Sequence, residues 1–294
     1  MEKTQIKNSL LLLLTATIWG SAFVAQSIGM EFVEPFTFTF VRSIIGGMVL
    51  IPVIILMGKW KKGFATKVEW IGGICCGIML CAASNFQQFG IVHTTVAKAG
   101  FITALYVILV PILGVFMKKH VPILIWVCVS FSVVGLYLLC MPKGGFTLAI
   151  GDLLVLICAL LFSFHILVID HFSPQGDGVV ISCIQFWTCG ILSGIAMLFV
   201  ENPMLGNIMN AKWSLLYAGV LSSGVAYTIQ VVTQKNINPT VASLIMCMES
   251  VVAVIAGWLV LEQGLSSREI CGCALMFIAI VLAQMPIPEK ERKK

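Results

Sequence analysis

Charge is what this sequence has least of. Only 11% of its 294 residues are Asp, Glu, Lys or Arg, and 59% are hydrophobic, whereas soluble domains run near a quarter charged. That shortage excludes a water-soluble globular chain. There is no Gly-x-x-x-x-Gly-Lys-Ser/Thr phosphate loop, and the polar connections are too short to house a nucleotide domain, so ATP-driven work is excluded. The eleven cysteines contain no Cys-x-x-Cys pair and are odd in number. They read as small apolar packing residues rather than as metal or redox groups. The four histidines are scattered and the acids dispersed, so the clustered acid, base and metal set of an enzyme is missing and no cofactor is expected.

What the chain has in abundance is long apolar runs. A hydrocarbon core of about 30 Å needs roughly 20 apolar residues per helical span, and ten such runs occur, near 8–28, 36–57, 69–90, 96–117, 122–140, 150–170, 178–199, 212–232, 239–261 and 268–285. Lipid offers backbone groups no water to bond, so each run is expected to be helix, and their unbroken character does not fit the alternation of a barrel strand. The first run follows Lys3 and Lys7 like a secretory signal, but it continues through Trp19, Phe23 and Ile28 without a convincing cleavage site and reads as a span. With the N-terminus inside, thirteen basic residues fall on the cytoplasmic side and only Lys98, Lys143, Lys212 and Arg268 outside, with Arg42 inside a span. The positive-inside rule therefore places both termini in the cytoplasm, in a multi-pass protein of the cell membrane. The net charge of +5 describes topology and inner-leaflet contact; it is no argument for nucleic acid. The partners expected are the lipid bilayer and a small-molecule substrate, with a homodimer left open.

The sequence also repeats itself. Trp70 matches Trp213, Gln87 matches Gln230, Ala99 matches Ala242 and Cys128 matches Cys271, all displaced by 143 positions, and the same shift superposes Trp19 on Phe162, Arg42 on Gln185, Gly47 on Gly190 and Tyr106 on Glu249. Each half, 1–146 and 147–294, holds five spans. An odd number makes the second copy enter the membrane in the opposite sense, so the fold class predicted is an all-α integral membrane protein of ten transmembrane helices in two inverted five-helix repeats. Secondary transporters recur in this form because oppositely oriented halves can exchange conformations around a site at their interface. Gly73-xxx-Gly77 and Gly190-xxx-Gly194 fit close helix packing, and Pro52 and Pro111 fall inside spans, where each removes a backbone hydrogen bond.

Several short motifs then carry a resemblance. Trp19-Gly20-Ser21-Ala22-Phe23, Phe40-Val41-Arg42, Thr94-Thr95 with Lys98-Ala99-Gly100 and Leu105 to Pro111, Met248-Glu249-Ser250 and Leu261-Glu262-Gln263 stand in the order and spacing that resembles the drug/metabolite transporter superfamily, in its ten-span EamA-type branch. The resemblance covers essentially the whole chain. It implies a secondary carrier with a central cavity lined mainly by spans one, three, four, six, eight and nine, and substrates such as amino acids, other small metabolites or drugs, often moved outward. This sequence departs from the pattern in having Ser250 where a proline is common after the glutamate, and Lys118-Lys119-His120 where a Gly-Glu pair is usual, which leaves Glu262 as the acidic loop residue.

Polar side chains inside the spans are the site candidates, because they are costly unless they face protein or water. Positions three, four, seven and eight apart share a helix face. In span one Thr15, Trp19, Phe23 and Gln26 form a stripe; in span three Ser84, Gln87 and Gln88 do, with Asn85 joining Gln88; in span eight Tyr227, Gln230 and Gln234 do. Gln87 and Gln230 stand at matched repeat positions and either face each other across a cavity or simply bond neighbouring helices. Trp19 and His165 are open to the same pair of readings, cavity or core. Glu249 lies ten residues into span nine, about 15 Å deep and near the midplane, so it is paired with a cation such as Arg42, protonated, or facing water. Lys98 is shallow enough to snorkel, yet shares a face with Tyr106 and could guard an outer mouth. Arg42 reads as a structural or ion-pair residue. The function expected is export or exchange of amino acids or other small polar metabolites by alternating access with proton coupling, against the alternatives of a channel-like bundle and a non-transporting scaffold.

Overall fold

A computed structural model describes residues 2–59, 63–94, 96–118, 121–140, 149–261 and 266–283. Thr95, Lys119, His120, Lys143, Glu262, Gln263 and the basic C-terminal residues lie outside the described residues. Among the described residues thirteen α-helical segments form ten spans: α1 (Glu2–Gly29), α2 (Pro35–Leu56), α3 (Lys67–His93), α4 (Val96–Ala104) with α5 (Tyr106–Phe116), α6 (Ile123–Cys140), α7 (Ile150–Phe172), α8 (Gly178–Val200), α10 (Lys212–Leu216) running through a π-helical stretch (Tyr217–Tyr227) into α11 (Thr228–Gln234), α12 (Pro239–Met246) with α13 (Glu249–Leu261), and α14 (Ser267–Ala283). The short α9 (Leu205–Asn210) lies between spans seven and eight. Eight of the spans are long and apolar enough to cross a bilayer, and α6 and α14 supply two shorter apolar helices.

The packing has the symmetry of an inverted repeat. The 143-residue shift turns α2 into α8, α6 into α14, and α4–α5 into α12–α13, and each of these elements packs against its own mate. The remaining spans exchange partners: α3 packs on α7, and their mates, the span from α10 to α11 and α1, pack on each other. A pseudo-two-fold axis therefore passes between the self-paired helices. Glycines show it at atomic scale. A Cβ on Gly47 would meet the Trp187 ring at 3.0 Å, and one on its mate Gly190 would meet Ile44, the mate of Trp187, at 2.8 Å. The interior mixes large apolar side chains such as Phe38, Phe186 and Leu80 with buried polar ones such as Gln88, Gln185 and Glu249, while Leu56, Phe116, Leu198 and Phe199 are exposed on the outside, as lipid requires.

Helix ends are tied by side chains rather than left open. Thr66 and Glu69 form a capping box on α3, and Glu69 Oε1 also accepts from the Asp177 amide at 2.7 Å, joining the starts of α3 and α8. At the other end of α8, Glu201 accepts from the amides of Phe36 and Thr37 at 2.7 Å each, holding the start of α2. Such carboxylates satisfy the orphan donors of a helix N-terminus and sit favourably in its dipole.

Spans four and nine break at matched positions. Leu105 N donates to Ile102 O at 3.2 Å, and its mate Met248 N donates to Ile245 O at 3.2 Å, so both helices tighten for one turn where α4 gives way to α5 and α12 to α13. The bend of span nine is thus present with Ser250 in place of proline, and Ser250 Oγ donates to the Gly100 carbonyl of span four at 3.0 Å.

Both small-residue pairs seat neighbouring helices. Gly73 and Gly77 face Ile184 and Thr188 of α8, and Gly190 and Gly194 face Ile44 and Phe40 of α2. A Cβ at Gly77 would lie 2.5 Å from Thr188 Cβ and 2.7 Å from the Gln185 carbonyl oxygen, while one at Gly114 meets nothing within 4 Å. Gly77→Leu is accordingly expected to destabilise the chain by about 1–3 kcal/mol, and Gly114→Ala not to do so, which thermal unfolding in detergent measures.

Candidate functional site

The two helix breaks meet at the axis. Tyr106 opens α5 and Glu249 opens α13, and the Tyr106 hydroxyl donates to Glu249 Oε1 at 3.1 Å across a sequence separation of 143. The two residues are repeat mates in direct contact. Both are buried, Glu249 at 4% exposure. Gly20 of α1 lets this happen: a Cβ there would stand 2.4 Å from the Glu249 carbonyl oxygen and 2.5 Å from Val252 Cβ, so α1 and α13 approach as closely as backbone allows.

Around this pair lies a small cavity of about 30 Å³. That is room for two or three water molecules, against the roughly 300–1,000 Å³ of a typical ligand pocket, so a substrate fits only when the helices part. Of the residues expected at a site, Trp19, Gln26, Gln87, Tyr106, His165, Tyr227, Gln230 and Glu249 line the cavity, together with Arg42. Spans one, two, three, four, six, eight and nine contribute. Five pairs of repeat mates face it from both halves: Trp19 with Phe162, Phe23 with Ile166, Gln87 with Gln230, Thr103 with Met246 and Tyr106 with Glu249.

Its walls are a hydrogen-bonded and aromatic mesh. Arg42 Nη1 donates to Gln26 Oε1 at 3.3 Å, and Gln88 Nε2 donates to the same oxygen. Gln87 Nε2 donates to Thr103 Oγ1 at 3.3 Å, and His165 Nε2 shares a hydrogen with Gln185 Oε1 at 3.1 Å. Gln185 is the mate of Arg42, so each half pairs its second helix with a polar group of its first, Arg42–Gln26 in one copy and Gln185–His165 in the other. The Trp19 indole donates to the Ser222 carbonyl at 3.4 Å and its ring stands 4.5 Å from that of Tyr227, which in turn has the His165 ring edge-on at 5.9 Å.

Ser84, Asn85, Gln88 and Lys98 do not line the cavity. Ser84 is fully buried. Asn85 Nδ2 donates to Cys81 O at 2.8 Å and to Ser193 Oγ at 2.9 Å, pinning α3 to α8. Gln88 stands behind Gln26. Lys98 reaches the start of α7, where its Nζ lies 3.4 Å from Asp152 Oδ2; Asp152 is buried and also accepts from the Ala149 amide and the Thr94 hydroxyl. The residues that helical spacing did not single out are Thr103, Ile166, Ser222 and Met246; Ile166 and Met246 have no hydrogen-bonding side chain to mark them, and the small hydroxyls of Thr103 and Ser222 are of a kind that can bond their own helix backbone. Among the described residues no group of three or more His, Cys, Asp and Glu could hold a metal ion.

A ten-span bundle of inverted halves around a central cavity lined by Arg42, Gln87, Gln230 and Glu249 as well as by aromatic rings is the architecture of a membrane transporter. Residues 6–141 and 149–285 both match the EamA-like transporter family, and the chain belongs to that family. It is similar to an uncharacterized transporter of Archaeoglobus fulgidus, 30% identical over 282 residues that cover 94% of this chain and 85% of that protein. It is also similar to the uncharacterized transporter YoaV of Bacillus subtilis, 23% identical with 94% and 96% covered, and to Protein PecM of Dickeya dadantii, 23% identical with 94% and 92% covered. A solved crystal structure, 18% identical, superposes over 94% of this chain and 96% of its own with a TM-score of 0.77, which shows the same fold.

Asn85→Ala is expected to cost about 1 kcal/mol of stability through the lost contact to Ser193, and to leave transport per folded molecule unchanged. Thermal unfolding and uptake normalised to folded protein read the two effects separately.

Proposed function

We propose that this chain is a secondary carrier that exports or exchanges amino acids or other small polar metabolites across the cell membrane by alternating access, with Glu249 as its proton-coupling group. The observation that carries the reading is the contact of the mates Tyr106 and Glu249 at a small central cavity, in a fold whose halves are inverted. In such a fold the cavity opens to one side when the halves rock one way and to the other when they rock back. The relatives named as transporters support movement of a solute. In this reading the halves divide between residues 146 and 147, and both termini face the cytoplasm, as the excess of Lys and Arg on that side requires.

Glu249 suits coupling because an intramembrane carboxyl needs either a counter-charge or a proton. The titratable and charged groups facing it are Tyr106, Tyr227, His165, Arg42, Cys158 and Cys247. Among the described residues none of them forms an ion pair with it, so the carboxyl is open to exchange a proton when the cavity opens.

Purified protein in liposomes is expected to move one or more members of a broad amino acid and metabolite panel, faster under one polarity of proton gradient. Glu249→Gln is expected to remain folded and to lose that dependence on the gradient. A panel in which nothing moves under either polarity contradicts the reading. Single cysteines at positions 87, 230 and 249 are expected to label from alternating sides; labelling from both sides at once indicates a channel, and no labelling a packed scaffold.

A further inference from the structure

Two thiols meet where α3 of the first half packs against α8 of the second. The helices run in step: a Cβ on Gly73 would stand 3.1 Å from the Ile181 carbonyl oxygen, and one on Gly77 would stand 2.7 Å from that of Gln185. One turn further along each helix the facing residues are Cys81 and Cys189, and their thiols are hydrogen-bonding neighbours. Neither is in a disulfide. Backbones this close suit one, since a disulfide joins residues whose Cα atoms are about 4.4–6.8 Å apart.

The repeat shows that packing does not call for sulfur at these positions. The 143-residue shift makes Gly46 the mate of Cys189 and Gly224 the mate of Cys81, and these two glycines meet where α2 packs on the π-helical stretch, a Cβ on Gly46 standing 3.4 Å from the Gly224 amide nitrogen. Glycines serve that interface, while its inverted copy carries two thiols. Nor is the setting of the thiols apolar. Asn85 Nδ2 donates to Cys81 Sγ at 3.4 Å, Ser193 Oγ lies 3.3 Å from the same sulfur, and Ser43 Oγ donates to Cys189 Sγ at 3.3 Å. Structural cysteines buried in apolar surroundings are inert, whereas reactive ones keep some exposure. Cys189 is fully buried and Cys81 is partly exposed, so Cys81 is the thiol an oxidant meets first and Cys189 the one that resolves it.

We propose that Cys81 and Cys189 form a redox modification site, at which a hydroperoxide makes a disulfide that fastens α3 to α8 and so ties one half to the other. The Cys81 sulfur, giving up its proton, attacks a peroxide oxygen; the O–O bond breaks, leaving a sulfenic acid and, from hydrogen peroxide, a water. The Cys189 sulfur, losing its own proton, then displaces the sulfenic hydroxyl as a second water, and the S–S bond forms. Two thiols are oxidised, the peroxide is reduced by two electrons, and a dithiol reverses the bridge by exchange. With the halves tied, their rocking is restrained and transport slows, a consequence that rests on the carrier reading.

The test treats the full chain in proteoliposomes with hydrogen peroxide, alkylates the remaining thiols and reads the digest by mass spectrometry. The expected product is a pair of peptides joined at positions 81 and 189, released by dithiothreitol and absent from Cys81→Ser and from Cys189→Ser. Because the bridge closes a long loop, peroxide is expected to raise the thermal midpoint in detergent by a few degrees in the wild type and in neither variant. Untreated, both variants are expected to melt with the wild type, which shows them folded. Peroxide is expected to slow uptake of a transported solute several-fold in the wild type alone. Cys81 oxidised to a sulfinic acid with Cys189 still open to alkylation, or a bridge that forms among other cysteines instead, overturns the site. A bridge between 81 and 189 that leaves uptake undiminished overturns the restraint on the halves. A chain that moves no solute contradicts the carrier reading alone, because mass and melting judge the bridge without one.

Discussion

A residue on the axis of an inverted repeat has no choice of neighbour: it faces its own mate from the other half. Tyr106 and Glu249 occupy that place, and the constraint explains why the copies differ there. Had duplication left two glutamates, two carboxylates would meet in a site with little water and repel. Two tyrosines would leave the site without a charge. A hydroxyl donor against a carboxyl acceptor is a complementary solution open only to copies that have diverged. The matched breaks at Leu105 and Met248 bring the first residue of each following helix to the axis.

The rest of the fold supports that meeting. Gly20 allows α1 to lie against α13 beside Glu249, while Gly73 and Gly77 seat α3 on α8 and Gly190 seats α8 on α2. Close packing of this kind takes the place of the hydrophobic drive that lipid does not supply between helices. Carboxylates at helix ends, Glu69 and Glu201 among them, are spent on tying helices together, as is Asp152 with Lys98. Glu249 differs from these in its place, at the axis with the Tyr106 hydroxyl as its donor. Among the described residues Glu69, Glu201 and Asp152 thus act as clamps at helix ends, while Glu249 lies at the meeting of the two halves.

Much of this was legible in the sequence, because lipid makes hydropathy and helical spacing unusually informative. The ten runs, the 143-residue repeat and the small-residue pairs follow from length, shift and spacing alone. Depth along a helix singled out Glu249, and matched position singled out Gln87 with Gln230. Rotation about the helix axis was harder to read. Ser84, Asn85 and Gln87 lie within one turn of α3, and only packing against α8 decides that Asn85 bonds Ser193 while Gln87 meets the cavity. Lys98 was ambiguous because its partner, Asp152, lies in the other half. Arg42 read as half of an ion pair because a buried cation ordinarily has an anion, and here it has the amide oxygen of Gln26.

The central claim is that one carboxyl at the axis, Glu249, exchanges its proton as substrate binds and leaves. Substrate-induced infrared difference spectra of the reconstituted protein test this most directly, since a protonated carboxyl and a carboxylate absorb at separate frequencies. Adding a transported substrate is predicted to remove a protonated-carboxyl band and to produce a carboxylate band, with both changes absent in Glu249→Gln. A wild-type spectrum in which saturating substrate leaves the carboxyl bands unchanged would contradict the account.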